Sequence, residues 1–346
     1  MNSKVFGKTP SGKRLTDIKK SIHFVNGKFQ NIEPTSINPN KVSMFKMMRN
    51  FFFKPNDVTP PNEIPSQKKD LHDLSSDRPA IIWFGHSSYL IHLDGFNILV
   101  DPVFSGNISP VKFFGKSFSG TDHYKVPDLP FIDLLILTHD HYDHLDYDTI
   151  SKIHNKVGKI ITPLGVDEHL IYWGVDPVKI TTLDWWQSKS ITDDIEITAA
   201  PARHFSGRSF NRDRSLWPSF ILKIKDFKIF IGGDSGYDDQ FKIIGEKYGG
   251  FDLAFLECGQ YGTDWPQIHM TPEETIKAAK ELHTAILIPV HWGKFALAMH
   301  SWNEPVKRLF LEAHLKDQLV VSPLIGQPYI LGQEFEQDQW WNNDTM

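Results

Sequence analysis

The feature that most constrains this chain is a buried strand that ends in a cluster of histidines and aspartates. The short, mainly apolar run 131–137 predicts this strand, which ends directly in polar residues. It leads into the pattern H-x-H-x-D-H, which is formed by His139, His141, Asp143 and His144. Imidazole and carboxylate groups suit zinc, iron or manganese, and two such sets side by side can hold two ions. A plain polar turn is the alternative, but isolated polar turns do not usually follow a buried strand with this spacing.

Composition narrows the class of protein and the kind of site. The 346 residues, 40% of them hydrophobic, suffice for one large domain or two ordinary ones. The net charge of −5 is not the basic balance that is typical of nucleic-acid-binding proteins, so no nucleic-acid partner is expected. Cys258 is the single cysteine, which excludes an internal disulfide and a cysteine-rich zinc site. Metal ligands must therefore come from the 16 histidines and the acidic residues.

Outside the main domain the sequence is polar and irregular. Residues 1–75 predict an extended N-terminal arm and linker, 76–335 the main domain, and 336–346 a polar tail. The first residues have no apolar core and no run of 18 apolar residues occurs, so a cytoplasmic location is expected. The segment 42–54 mixes apolar and basic residues. This favours a short helix packed on the main domain, and the alternative is an element that contacts a membrane surface or admits substrate.

The main domain shows the same layout twice. A hairpin predicted over 89–100, with an Asp94-Gly95 turn, is followed by Asp101, and a second hairpin over 220–231 is followed by Asp234. Alternating helices and strands follow each hairpin. Two such halves, stacked by their sheets with helices outside, predict an α+β fold that forms a four-layer αββα sandwich.

Polar residues stand where several of these strands end. Each follows an apolar run, and together they are Asp101, the turn 139–144, His204, Asp234 and His291. Functional sites in mixed sheets usually lie at the edge where the strands end and their loops begin, so these residues are candidates to converge.

The H-x-H-x-D-H pattern resembles the metallo-β-lactamase superfamily. Longer stretches resemble its N-acylphosphatidylethanolamine-hydrolysing phospholipase D branch and the bacterial relatives of that branch. These are WFGHSSYL, ILVDPVFS, RHFSGRSFNRDRSLWPSF, FIGGDSGY, IHMTPEET and HWGKFALA, which run from about 83 to 298. The resemblance implies a metallo-β-lactamase fold of two similar αβ halves, in agreement with the repeated layout.

The resemblance also implies a dinuclear centre with seven ligands. The ligands of the first metal would be His139, His141 and His204, and those of the second Asp143, His144 and His291. Asp234 would bridge both metals. Each ion keeps a position open for water or substrate, and a bound water with a pKa of about 7 supplies hydroxide at neutral pH.

Four further residues are candidates at the same site. Asp101 is expected to accept an imidazole N–H and so to orient a ligand histidine. His86 is predicted to hydrogen-bond a ligand or to line the substrate pocket, with a purely structural role as the alternative. The resemblance places His269 at the active site, where it could bind a phosphoryl oxygen or protonate the leaving group. Arg208 is a candidate for binding phosphate, although arginine-rich loops are also commonly just solvated.

The predicted function is a dinuclear zinc phosphodiesterase of the phospholipase D type, in which a metal-bound hydroxide attacks the phosphodiester. Its catalytic residues would be Asp143, Asp234 and His269. Iron or manganese also fit the ligands. The alternatives are a two-metal lactonase, esterase or β-lactamase-like hydrolase, and a metal-binding protein without catalysis. The expected substrate is a phospholipid or another small diester, with peripheral membrane contact as a further expectation, and the sequence does not indicate the oligomeric state.

Overall fold

The fold is a sandwich of two similar halves. A computed structural model of the protein describes residues 3–40, 43, 54–111, 114–209 and 211–342. The segment 42–54, apart from Ser43 and Lys54, lies outside the described residues, so both interpretations of it stay predictions. The described part of the arm carries a helix, α1 (Gly12–Ile18), and a small hairpin of β1 (Phe24–Val25) and β2 (Lys28–Phe29).

Within the described residues, each half contributes a seven-stranded sheet. The first sheet has the spatial order β16 (Pro328–Ile330), β3 (Ala80–Trp83), β4 (Tyr89–Leu93), β5 (Phe96–Val100), β6 (Ile132–Ile136), β7 (Val157–Pro163) and β8 (Ile180–Leu183). The second has the order β9 (Ser188–Thr192), β10 (Ile195–Ala200), β11 (Ser219–Ile224), β12 (Phe227–Ile231), β13 (Phe251–Glu257), β14 (Thr284–Val290) and β15 (Leu319–Val320).

The two sheets share one pattern of strand pairing. In both, an antiparallel hairpin, β4–β5 or β11–β12, is continued by parallel strands, β6–β8 or β13–β15. The hairpin turn at Asp94-Gly95 has φ angles of 47° and 78°, and positive φ at both central residues is what a tight two-residue hairpin requires. The duplicated layout that the sequence predicted is therefore confirmed.

Helices connect the parallel strands in each half. They are α2 (Tyr147–Ile153), α3 (Asp167–Tyr172), α4 (Gln240–Tyr248), α5 (Pro272–Glu281) and α6 (Glu304–Leu315). Helix α5 begins with the predicted capping box, in which the Thr271 side chain accepts from Glu274 N and the Glu274 side chain accepts from Thr271 N. None of the helices in the described ranges is long and apolar enough to span a lipid bilayer.

The main hydrophobic core lies between the sheets, and a second cluster packs the helices on the first sheet. Tyr89 of β4 stacks on Phe255 of β13 with ring centroids 3.9 Å apart, which joins the two inner faces. On the other face of the first sheet, Leu135 clusters with Ile150 of α2 and Leu170 of α3. The order of layers is therefore the predicted αββα sandwich.

The C-terminal residues complete the first half. Strand β16 pairs with β3 and so covers an edge of the first sheet. Beyond it, the residues predicted as a polar tail contain Trp340 and Trp341, which are buried. Trp340 stacks on Trp292 with ring centroids 5.1 Å apart, and Trp292 directly follows His291 in the chain. The end of the described chain is thus packed against the domain at Trp340 and Trp341, which the sequence did not indicate.

Replacing Trp340 with alanine should lower the free energy of unfolding by about 3–5 kcal/mol, the usual cost of deleting a large buried aromatic side chain. The indole is 2% exposed and packs on Trp83, Trp292 and Trp302. Urea denaturation followed by circular dichroism measures the change. The control is Leu311→Ala on α6, where the side chain is 63% exposed and a change within about 0.5 kcal/mol is expected. Equal losses in the two variants would contradict this packing.

Candidate metal centre

The seven predicted ligands lie close together, as two sets of three residues with one carboxylate between them. We call His139, His141 and His204 the first ligand set, and Asp143, His144 and His291 the second. Asp234 stands between them: its Oδ2 lies 3.7 Å from His139 Nε2, and its Oδ1 lies 3.2 Å from His144 Nε2. A carboxylate that faces both sets has the position expected of a bridging ligand.

In the first ligand set, three ring nitrogens face one another. His141 Nδ1 lies 2.9 Å from His139 Nε2 and 3.2 Å from His204 Nε2. The His204 ring is fixed from behind, because its Nδ1 donates to the main-chain oxygen of Ile268 at 2.9 Å. This contact leaves the Nε2 lone pair of His204 directed at the other imidazoles.

In the second ligand set, both imidazoles lie near one carboxylate oxygen. Asp143 Oδ2 lies 3.2 Å from His291 Nε2 and 3.6 Å from His144 Nε2. His291 Nε2 is also 3.2 Å from Asp234 Oδ2, so both carboxylates face the same nitrogen. The two halves of the fold therefore contribute to each set.

The donor atoms fit a pair of divalent cations. Converging imidazole nitrogens cannot all hydrogen-bond to each other, since a neutral ring offers one donor and one acceptor. Within the described part of the chain, the buried atoms His144 Nε2 and Asp234 Oδ1 also make no hydrogen bond. Buried polar groups are normally satisfied, and a cation shared by imidazole and carboxylate ligands would satisfy these.

Electrostatics in the site agree with cation binding. Burial alone would raise the pKa of Asp234, but the imidazoles of His144 and His291 hold that pKa well below its usual range. Burial lowers the pKa of His139 well below its usual range, and the neighbouring His144 lowers it further. Burial also opposes the charging of His144, yet neighbouring carboxylates, Asp234 foremost, raise its pKa to about 10. A metal that binds His144 must therefore displace a proton.

Backbone strain gathers at this site. The non-glycine residues His86, Asp101 and His291 have φ angles of 52°, 39° and 65°. Such left-handed conformations cost about 1–3 kcal/mol each and persist only where the surroundings hold them. Here His291 N donates to the main-chain oxygen of His86, and His86 N donates to that of Trp292, each at 3.0 Å. These two bonds tie the first half of the chain to the second at the metal centre.

Asp101 and His86 both contact candidate ligands. Asp101 Oδ2 accepts from His144 Nδ1 at 2.8 Å, and its Oδ1 accepts from Thr138 N at 2.8 Å. A carboxylate at this position fixes which nitrogen of His144 is free for a metal. The fully buried His86 places its Nε2 2.9 Å from Asp143 Oδ2. Of the roles predicted for His86, the geometry favours the hydrogen bond to a ligand.

His269 lies beside both ligand sets. Its ring centroid is 5.0 Å from that of His204 and 5.0 Å from that of His291. Its Nδ1 is 2.6 Å from Glu257 Oε2, and its side chain is 13% exposed. The structure thus brings His269 to the edge of the metal centre with one ring nitrogen unengaged by Glu257.

Arg208 is held by main-chain oxygens. The side chain is buried, and its Nη1 donates to the carbonyls of Asp140 and Leu145 at 2.8 and 2.6 Å. Its Nε and Nη2 both donate to Val5 O, and its guanidinium lies 4.0 Å from the centre of the Tyr142 ring. The guanidinium is therefore bound to the histidine-rich turn and the arm, and its contact with phosphate stays a prediction.

Glu257 and Asp140 are buried carboxylates near the candidate ligands that were not singled out from the sequence. Glu257 contacts His269 and lies 3.3 Å from His291 Nδ1. Asp140, inside the histidine-rich turn, accepts from Gly207 N at 2.7 Å and so ties the turn to the loop after His204. Glu257 carried the same signal that identified Asp101 and Asp234, since it is an acid at the end of an apolar strand.

The arm also supports the metal centre, which the sequence did not indicate. The Asn31 side chain donates from Nδ2 to His204 O at 2.7 Å, and its Oδ1 accepts from His204 N at 3.0 Å. The same Oδ1 accepts from Trp217 Nε1 at 2.9 Å. One amide of the arm thus fixes the main chain of a candidate ligand on both sides.

Metal-free protein titrated with Zn²⁺ in a calorimeter should bind two equivalents, one for each ligand set. The variant His139→Ala should lose at least one of them, because it removes one of three converging nitrogens. His314→Ala changes an exposed histidine of α6 and should keep both. Two equivalents bound by His139→Ala with wild-type affinity would be incompatible with the assigned ligand set.

The variant Asn31→Ala should bind the ion of the first ligand set about 10–100-fold more weakly, as is typical when a residue that orients a ligand is lost. The reason is that His204 loses both contacts that fix its main chain. Competition with a chromophoric chelator measures the affinity, and Asn155→Ala, at an exposed position, is the control. Unchanged affinity in Asn31→Ala would show that the arm does not support the site.

Comparisons with known proteins give the family. A family model described as "Beta-lactamase superfamily domain" matches residues 96–292. An uncharacterized protein of Mycobacterium tuberculosis is 36% identical over 328 residues, which cover 93% of this chain and 88% of that protein. N-acyl-phosphatidylethanolamine-hydrolyzing phospholipase D 1 of Caenorhabditis elegans is 30% identical over 293 residues, 76% of this chain and 82% of the relative.

Solved structures agree on the fold. The metallo hydrolase Igni18 of Ignicoccus hospitalis has a TM-score of 0.56 and 19% identity, and the match covers 75% of this chain and 99% of Igni18. At this identity the likeness concerns the fold alone, whereas the match to the family model spans all seven candidate ligands. The chain belongs to the β-lactamase superfamily, and a phospholipase D that hydrolyses N-acyl-phosphatidylethanolamine is among its relatives.

Proposed function

We propose that this protein is a metal-dependent hydrolase that uses two zinc ions to cleave phosphodiesters of the N-acyl-phosphatidylethanolamine type. The observation that carries the proposal is the pair of ligand sets joined by Asp234. The named activity of the C. elegans relative supports the phosphodiester, because the similarity covers 82% of that protein. Imidazole and carboxylate donors without a thiolate support zinc, with iron or manganese as the alternatives.

The chain's own residues have distinct roles in this proposal. Two bound cations would supply a water of lowered pKa and neutralise charge that develops on the phosphodiester. Asp101 holds His144 so that Nε2 faces the centre, and His86 does the same for the Asp143 carboxylate. His269 stands at the edge, where a proton donated to the leaving oxygen would complete the cleavage.

An apolar cluster packs beside the metal centre. Val103, Ile108 and Phe295 form it and are buried, and the partly buried Tyr142 and Leu297 pack against it. Phe295 also meets His86 edge-on, with ring centroids 5.3 Å apart, so the cluster reaches the histidine that contacts Asp143. Tyr142 and Leu297 are the members that the apolar portion of a phospholipid would contact.

Protein stripped with a chelator and reloaded with Zn²⁺ should hydrolyse N-acyl-phosphatidylethanolamine and bis-p-nitrophenyl phosphate, and the stripped protein should not. The physical reason is that both the nucleophile and the charge neutralisation depend on the ions. A γ-lactone and nitrocefin are assayed in parallel. Turnover of these alone would establish the lactonase or β-lactamase-like alternative, and no turnover of any substrate by fully loaded protein would establish a metal-binding protein without catalysis.

The variant His269→Ala should keep two bound ions and lose about 10²–10⁴-fold in kcat on N-acyl-phosphatidylethanolamine, the usual range for a general acid. His314→Ala is again the control. Metal analysis of each variant separates the two effects. Wild-type kcat in His269→Ala would remove this histidine from the reaction.

A further inference from the structure

Glu257 is a fully buried carboxylate that holds together three loops of the second half. It ends strand β13, and its Oε1 accepts from Ser235 N at 3.0 Å and Met270 N at 3.2 Å. Its Oε2 lies 2.6 Å from His269 Nδ1 and 3.3 Å from His291 Nδ1. One side chain therefore contacts the loop of the bridging Asp234, the candidate proton donor and a candidate metal ligand.

The repeated fold places a polar group at the equivalent position of the first half. Ile136 and Phe255 pair with the hairpin strands β5 and β12, and Thr138 and Glu257 each follow two residues later. Thr138 Oγ1 donates to Asp101 Oδ2 at 2.6 Å and lies 3.0 Å from His139 Nδ1. In both halves, this position meets the outer nitrogen of a ligand histidine.

The chemistry of a carboxylate determines what Glu257 does to its two histidines. An ionised carboxylate can only accept hydrogen bonds, so a neutral imidazole facing it must carry its proton on that nitrogen. Both His269 and His291 turn Nδ1 towards Glu257. The Nε2 lone pair of His291 is then free, and it faces Asp143 and Asp234 at 3.2 Å each.

We infer that Glu257 is a positioning residue that sets one tautomer in both His291 and His269. In His291 this tautomer leaves Nε2 able to bind a metal ion. In His269 it leaves Nε2 for the substrate, and this second part rests on the proposed function. The same carboxylate thereby links metal binding to proton transfer, and it holds the two rings 5.0 Å apart and within 20° of parallel.

Two substitutions separate this role from simple packing. Glu257→Gln keeps the shape but turns an amide N–H₂ towards one or both imidazoles, which favours the tautomer protonated on Nε2. Glu257→Asp is shorter but still only accepts. We expect Glu257→Gln to lower the zinc affinity of the second ligand set about 10–100-fold, and Glu257→Asp to lower it less. Packing alone predicts the opposite order, and that order would overturn the inference.

The wild-type protein provides a test that does not depend on how the variants fold. Long-range ¹H–¹⁵N NMR spectra of the zinc-loaded protein, labelled at histidine, report the protonated nitrogen of each ring. We expect His291 and His269 to carry the proton on Nδ1. A proton on Nε2 of His269, or coordination of zinc through Nδ1 of His291, would overturn the inference. Glu246→Gln, an exposed acid-to-amide change on α4, is the control for the titrations.

Kinetics separate this inference from the proposed function. Glu257→Gln, saturated with zinc, should lose more kcat on N-acyl-phosphatidylethanolamine, whose leaving alkoxide needs a proton, than on bis-p-nitrophenyl phosphate. KM should change little for either. Equal losses on the two substrates would overturn the link to His269. If the wild type cleaves no phosphodiester, the proposed function fails, while the metal titrations and NMR spectra still decide the role of Glu257 at His291.

Discussion

The structure depends on a single carboxylate that both ligand sets approach. Asp234, from the second half of the fold, faces His139 and His144 of the first half, and Asp143 of the first half in turn faces His291 of the second. Neither half holds a complete ligand set. The two sheets must therefore dock before the donor atoms meet. The hydrophobic core between the sheets stabilises this docking.

Docking of the sheets has to overcome two unfavourable free energies at the metal centre, from desolvation and from backbone strain. The site gathers buried imidazoles and carboxylates, whose transfer from water is unfavourable, and it holds His86, Asp101 and His291 in left-handed conformations. Large apolar contacts lie close by, including Tyr89 on Phe255 and the tryptophans around Trp292. A rigid core of this kind can hold donor atoms in place before any ion is bound, which is what precise ligation needs.

The sequence predicted those parts of the fold and site that depend on local pattern. Strand Phe251–Glu257, the Asp94-Gly95 turn and the Thr271 cap each follow from residues close together in the chain. The convergence of the strand ends followed from the repeated layout. Asn31 could not be predicted, because its partner His204 is 173 residues away and an asparagine in a polar arm carries no periodic signal. The burial of Trp340 was missed for the same reason, since a tryptophan in a polar segment gives no pattern.

Glu257 differs from Asn31 and Trp340, because the sequence pattern that marks it was present. That pattern, an acid at the end of an apolar strand, does not show which residues it contacts. Glu257 stands at a strand end like Asp101, yet strand-end acids can be ligands, supports for ligands or turn residues. The pairing of β13 with β14 places Glu257 next to His291, and its Oε2 faces His291 Nδ1 rather than the Nε2 that faces Asp143 and Asp234. Asp101 stands behind His144 in the same way. Each half of the fold therefore supplies one carboxylate that stands behind an imidazole, but from different positions: Asp101 follows the hairpin of the first half, whereas Glu257 ends a parallel strand of the second.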